Sequence, residues 1–323
     1  MLHKIKSKYV LKNITLNLSQ KFYLLLFKYN KKLQKKLELT KKDYKAYNQI
    51  EIDIIPIDLE KNIKNTIINY FFDEKAFYHI FLDDKEIKRK NYFKKKDNVK
   101  KIKVLIDMEI KSLKRLFADC KYIKEINFVK FNRKDITDMS YMFSGCINLT
   151  NLTLDKIKTD KVVRMNHMFA NCQKLQELNV SNFNTSKVET MENMFSCCFS
   201  LKVLDLSNFN TSKVTNMTQM FCNCRNLFFL NVSSFNTSKV NEMSYMFCNC
   251  ALLNSLDVSN FNTCHVYTMV HMFSHCYSLV NIDLSNFYVD ANTYVKNMLS
   301  KCPEELKDKI KGQNEKIRKE AFS

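Results

Sequence analysis

A chain of 323 residues with 46% hydrophobic content is long enough for one extended domain or two compact ones, and it excludes disorder as the default. The net charge of +19 is concentrated at the front: residues 1–109 carry 26 basic and 14 acidic groups, residues 110–302 carry 20 and 14, and residues 303–323 carry 6 and 5. Between Val162 and Val295 the chain is nearly neutral, which argues against a phosphate-tracking surface there and makes nucleic acid an unexpected partner.

Apolar residues from Ile5 to Leu37, broken at Leu18-Ser19, have the spacing of three short packed helices. The string SKYVLKNITLNLSQKFYLLLFKYNKKLQKKL resembles a divergent F-box without its usual opening Leu-Pro. That resemblance implies a ubiquitin-ligase adaptor as partner of residues 1–49, and a plain helical cap is the other reading. The longest early apolar run, Phe22 to Phe27, is shorter than a signal-peptide core or a membrane span. A cytoplasmic protein with reduced thiols and no membrane span is therefore expected, with surface exposure as the alternative.

Residues 50–109 read as a small β-rich region. Alternation over 50–57 (IEIDIIPI) predicts a strand, and Pro56 favours a sheet edge. Phe77 to Phe93 reads as a hairpin turning at Asp83-Asp84. The basic runs 88–90 and 94–96 fit a lysine-protected edge or a patch for an anionic partner. A strand over Lys101–Ile106 leads onward.

From 110 to 302 one phrase returns every 26 residues. Cys120, Cys146, Cys172, Cys198, Cys224, Cys250, Cys276 and Cys302 mark its step, and a Met-Phe pair precedes most of them. Val214, Met217, Met220, Phe221 and Cys224 fall at i, i+3, i+6, i+7 and i+10, the face of a short helix, while Leu227, Leu230 and Val232 read as a strand. Asn184, Asn210, Asn236 and Asn262 are expected at φ > 0, and Ser186, Ser212 and Ser238 at helix N-caps, with Glu189 completing a capping box. A polar capping helix is expected over 303–323.

No single unit can bury its own apolar face, so the units must stack. The expected fold is an α/β repeat solenoid with one short helix and one short parallel strand per 26-residue turn, preceded by a small α+β region. The phrase M/A-F-x-x-C-x-x-L-x-x-L-x-L-S-x-F-N-T-S is similar to the BspA-type leucine-rich repeats. That resemblance implies a right-handed leucine-rich-repeat-like array, although here the Cys precedes the strand. The family's adhesion role would require export.

No column holds a glycine loop, a carboxylate pair or a Ser/His/Asp set, so neither catalysis nor a cofactor or metal is expected. His271 and His275 are four apart, but His271 shares its column with Tyr141, His167, Asn193 and Gln219. Cys222 and Cys248 occupy a slot otherwise held by Ala118, Ser144, Ala170, Ser196 and Ser274, and read as packing.

Function is expected where columns break. A polar ribbon runs through Asn179, Asp205, Asn231, Asp257 and Asp283, and Phe228 and Phe229 interrupt columns that are largely polar elsewhere. The candidate partner-binding residues are Lys202, Val203, Asp205, Phe228, Phe229, Asn231, Asp257 and Asp283. They suit a monomeric, non-catalytic protein-interaction module. An F-box-like substrate receptor and a surface adhesin are the alternatives.

Overall fold

The computed structural model describes residues 31, 32, 35, 41–88 and 90–323. Apart from Lys31, Lys32 and Lys35, the F-box-like segment over 5–39 lies outside the described residues. Two compact units divide the chain, Met1–Gln49 and Ile50–Ser323. The first contains helix α1 (Lys41–Asn48).

The second unit opens with β1 (Ile50–Pro56), in which Ile50, Ile52 and Ile54 are fully buried. Then follow β2 (Asn65–Thr66), β3 (Tyr78–Leu82), β4 (Lys85–Ile87), β5 (Tyr92–Phe93), β6 (Ile102–Ile106), β7 (Ile123–Lys130) and β8 (Asn151–Thr153). Asp83 and Asp84, both at positive φ, make the tight turn between β3 and β4. A six-stranded sheet runs β4-β3-β6-β1-β7-β8, antiparallel until the parallel pair β7–β8. Pro56 does not mark an edge, because β1 lies between β6 and β7, with Ile52 opposite both Val104 and Phe128. The proline is tolerated because it ends the strand, where the register with β7 shifts.

The right-handed leucine-rich-repeat-like solenoid, with a helix in every turn, is overturned. Among the described residues α-helix is confined to positions 31, 32 and 35, to α1 and to α2 (Glu304–Gln313), so none falls within the repeats. The architecture is mainly one of mixed sheets and tight turns. Two residues per unit take the left-handed conformation, and this breaks any helix. One precedes the Met-Phe pair (Tyr141, His167, Asn193, Gln219, Tyr245, His271) and one follows it by two (Gly145, Asn171, Cys197, Asn223, Asn249, His275). Two left-handed residues four apart, one on each side of the Met-Phe pair, forbid the i→i−4 ladder there. Three-residue turns replace it, such as Cys224 N–H to Phe221 O at 3.1 Å.

The remaining backbone groups bond between units. Phe195 N–H donates to Met220 O, Phe221 N–H to Met246 O and Phe247 N–H to Met272 O, at 2.8–2.9 Å. Single-residue parallel bridges run from Ser112 through Asp138, Arg164, Thr190, Asn216, Glu242 and Thr268 to Tyr294. A second parallel pairing joins β9 (Val203–Asp205) to β10 (Phe229–Asn231), flanked by bridges Glu177–Val203 and Ser255–Asn281. The Phe117 to Phe273 rings lie in one buried column with neighbouring centroids 5.4–5.7 Å apart.

The expected left-handed asparagines and serine caps are also corrected. Asn184, Asn210, Asn236 and Asn262 are absent from the positive-φ positions, and no helix follows them. Each instead accepts the N–H two residues on at its Oδ1, as Asn210 does from Ser212 at 3.0 Å. Their backbones are held by buried threonines: Thr211 Oγ1 donates to Asn236 O at 2.9 Å and accepts from Asn236 N–H at 2.8 Å.

Both ends of this directional ladder are satisfied. At the front, Asn69 N–H donates to Leu116 O, and its side-chain amide donates to Arg115 O and Ala118 O. At the back, Asn297 N–H and Leu299 N–H donate to Glu320 O and Ala321 O, and α2 buries Leu306 and Ile310. Asn314 donates to Leu284 O and Phe287 O, as Asn208 does to Val180 O and Phe183 O at an internal junction.

Candidate functional site

The strand pair β9–β10 and the residue leading into β10 bring three exposed apolar side chains together. Along β9 the side chains alternate, so Leu204 enters the core while Val203 and Asp205 face outward; β10 repeats this with Leu230 inward and Phe229 outward. Phe228 lies just before β10, its N–H donating to Lys202 O at 3.0 Å. Val203, Phe228 and Phe229 are 42%, 52% and 48% exposed, high values for side chains of this kind.

A groove of about 750 Å³ opens beside them, lined by Lys202, Val203, Asp205 and Phe228 together with Glu177, Leu178, Asn179, Ser207 and Asn208. Four of the eight sequence-predicted residues therefore meet at one concavity. Phe229 pairs in register with Val203, and the half-buried Asn231 pairs with Asp205. Asp257 and Asp283 do not line the groove and lie one and two repeats beyond Asn231.

The carboxylates also have a structural task that the ribbon reading did not include. Asp205, Asp257 and Asp283 each accept the N–H of the serine two residues on, at 2.8–3.0 Å, and Asn179 and Asn231 do the same. The hydrogen bonds from Ser207 hold the Asp205 carboxyl below its ordinary range, as those from Ser259 and Ser285 do for Asp257 and Asp283. A shared turn thus explains why the column holds only Asp or Asn in these units.

Asn208 and Ser207 were missed as groove residues, because both belong to the repeated phrase and break no column. The alternation of strand positions, carried one residue past the strand, was the available signal. Val280, in the same 26-residue column as Phe228, is also exposed and was missed.

Elsewhere, no group of three or more His, Cys, Asp or Glu among the described residues is arranged to hold a metal ion. His271 and His275 stand on tight turns with different partners: His271 stacks on Tyr245 at 4.8 Å, and His275 Nδ1 meets Ser274 Oγ at 2.8 Å. From Cys146 to Cys302 the ladder cysteines donate their thiols to phenylalanine carbonyls 29 residues earlier, as Cys224 Sγ does to Phe195 O at 3.2 Å, while Cys120 donates to Ile67 O. Burial pushes these thiols up, Cys198 to about 12.

The family model described as "Mycoplasma protein of unknown function, DUF285" matches residues 111–227 and again residues 197–312. The chain belongs to this family. The two DUF285 matches overlap across β9 and the Phe221 turn, so together they cover the 26-residue repeats and reach into α2. No curated protein and no solved structure matches the chain. Among the described residues, no helix is long and apolar enough to cross a membrane.

Proposed function

We propose that this DUF285 chain is a non-catalytic module that binds a protein partner on the face formed by β9 and β10. The observation that carries this reading is the groove beside Val203 and Phe228. There, large apolar side chains stay exposed on backbone that is hydrogen-bonded on both sides. Aromatic anchors on a rigid platform, rimmed by Lys202, Glu177 and Asp205, have the anatomy of a binding hot spot. A partner supplying an apolar side chain for the groove and polar groups for its rim fits best.

The test is affinity capture from native extract with wild-type protein and a Val203→Lys/Phe228→Ala variant. Loss of about 1.4 kcal/mol or more of anchor energy weakens a partner roughly tenfold or more. Identical captured proteins and affinities with both baits would refute the reading. The resemblance of the repeats to the BspA type supports an adhesin form of the same module, which surface labelling of intact cells tests. An adaptor dock at residues 1–49 rests on sequence resemblance. It predicts adaptor capture that disappears when Leu25 and Leu26 are made polar.

A further inference from the structure

The twelve cysteines divide into three sets. Eight stand on the 26-residue lattice, nearly or fully buried, with their thiols donated to main-chain carbonyls. Protonated and enclosed, they are poor nucleophiles. Cys264 is exposed and alone on its turn. Cys197, Cys222 and Cys248 differ from both groups, because they lie together.

Cys222 and Cys248 occupy the same slot of consecutive units. Their main chains are adjacent, with Cys197 N–H donating to Cys222 O at 2.7 Å and Asn223 N–H to Cys248 O at 2.8 Å. The Cys222 and Cys248 thiols, in neighbouring slots, interact, so that each shifts the titration of the other. The Asn223 side-chain amide reaches Cys222 Sγ at 3.4 Å and Cys197 Sγ at 3.6 Å, and Asn249 fixes that amide by donating to its Oδ1 at 2.8 Å. Cys248 and Cys197 are partly open to solvent, while Cys222 is buried behind them.

We propose that Cys248 and Cys222 form a reversible thiol-oxidation site, at which a hydroperoxide joins the two sulfurs in a disulfide linking adjacent units. Cys248 is the more accessible of the two sulfurs, and its interaction with Cys222 depresses its thiol below the ordinary value. The same interaction, with burial, pushes the Cys222 thiol up and keeps its proton in place. The Cys248 thiolate attacks a peroxide oxygen: an S–O bond forms, the O–O bond breaks, and the departing alkoxide or hydroxide takes up a proton. Cys222 sulfur then attacks Cys248 sulfur. The S–S bond forms, the S–O bond breaks, and hydroxide leaves with the Cys222 proton as water. Two thiols and one hydroperoxide give one disulfide, one alcohol (water from hydrogen peroxide) and one water. The two side chains occupy the same slot of neighbouring units whose main chains are already hydrogen-bonded in register, so no rearrangement of units is needed to bring them together.

The test uses the full chain carrying Cys264→Ser, which removes the exposed thiol that would link two molecules. After hydrogen peroxide and iodoacetamide, a non-reducing tryptic digest should yield peptide 214–225 joined to peptide 240–296, separated again by dithiothreitol. Cys248→Ser should abolish the joined peptide. Cys222→Ser should leave a Cys248 sulfenic acid that dimedone traps, and Cys197→Ser should retain the disulfide. The Cys222 and Cys248 variants keep the fold, because serine stands in their slot at Ser144, Ser196 and Ser274, and their melting should match the parent. Full alkylation of both cysteines after peroxide, or a bridge that survives Cys248→Ser through Cys224 and Cys250, would overturn the proposal.

Discussion

Replacing Phe221 by alanine tests the interior of the repeats at its centre. The ring is fully buried, with the Phe195 ring 5.7 Å away on one side and the Phe247 ring 5.5 Å away on the other, nearly parallel to both. Its removal takes away the transfer free energy of a large side chain, and it leaves a cavity that neighbours hydrogen-bonded in fixed register cannot close. Phe→Ala changes of this kind cost about 3–5 kcal/mol. Two ring contacts, each about 0.5–1.5 kcal/mol, place this site toward the upper part of that range. Urea unfolding followed by circular dichroism measures the effect, with Phe229→Ala as the control, because Phe229 is equally aromatic but half exposed. The midpoint should fall markedly for Phe221→Ala and stay within about 0.5 kcal/mol of the parent for the control. A fall in slope as well would show that units on either side of residue 221 unfold separately. Equal midpoints for both variants would sink the assignment of Phe221 to the core.

Thr211→Val keeps the shape but leaves Asn236 N–H and C=O without their buried partner. It should lower stability by about 1–3 kcal/mol in the same assay, while Thr211→Ser should restore much of that loss. Acid should also weaken the fold. Burial pushes the Asp135 carboxyl up, but hydrogen bonds from Arg133 and Lys111 outweigh it and hold the group down at about 2. Its folded value lies below its unfolded one, so its contribution is complete above about pH 4 and is lost as pH falls toward 2. Asp135→Asn should flatten the stability profile across that window, and an unchanged profile would remove Asp135 from the account. Gly145, at φ +75°, has no room for a side chain: a Cβ would lie 2.5 Å from Asp119 Oδ1. Gly145→Ala should therefore lower the melting temperature, by an amount reduced when Asp119 is also made alanine.

The repeat step and its buried columns could be read directly, because a strict 26-residue register of Cys, Met, Phe and Leu leaves few other places for apolar side chains. The local backbone could not be read the same way. Apolar residues at i, i+3, i+7 and i+10 suit a helix, but they suit successive three-residue turns equally well. The deciding conformations belong in part to Tyr141, Gln219 and Tyr245, residue types with little preference for the left-handed region. A clue lay in the second column, where Gly145, Asn171, Asn223 and Asn249 share one position. The groove was half legible for a related reason. Phe228 and Phe229 break a pattern and announce themselves, whereas Asn208 and Ser207 conform to it.

The ladder of hydrogen bonds between units has a polarity, each unit donating from the Met-Phe turn and accepting from the unit before. Every internal junction therefore presents the same two complementary surfaces, and only Asn69 at one end and Glu320 with Ala321 at the other differ. Excising or duplicating a block of 26 residues would join one surface to its complement and leave both terminators where they are. A change that is not a whole multiple of 26 would put a donor row against side chains. The number of units is thus the one dimension of this molecule that a single genetic event can alter without inventing a new contact, and the position of the aromatic groove along the row could shift with it.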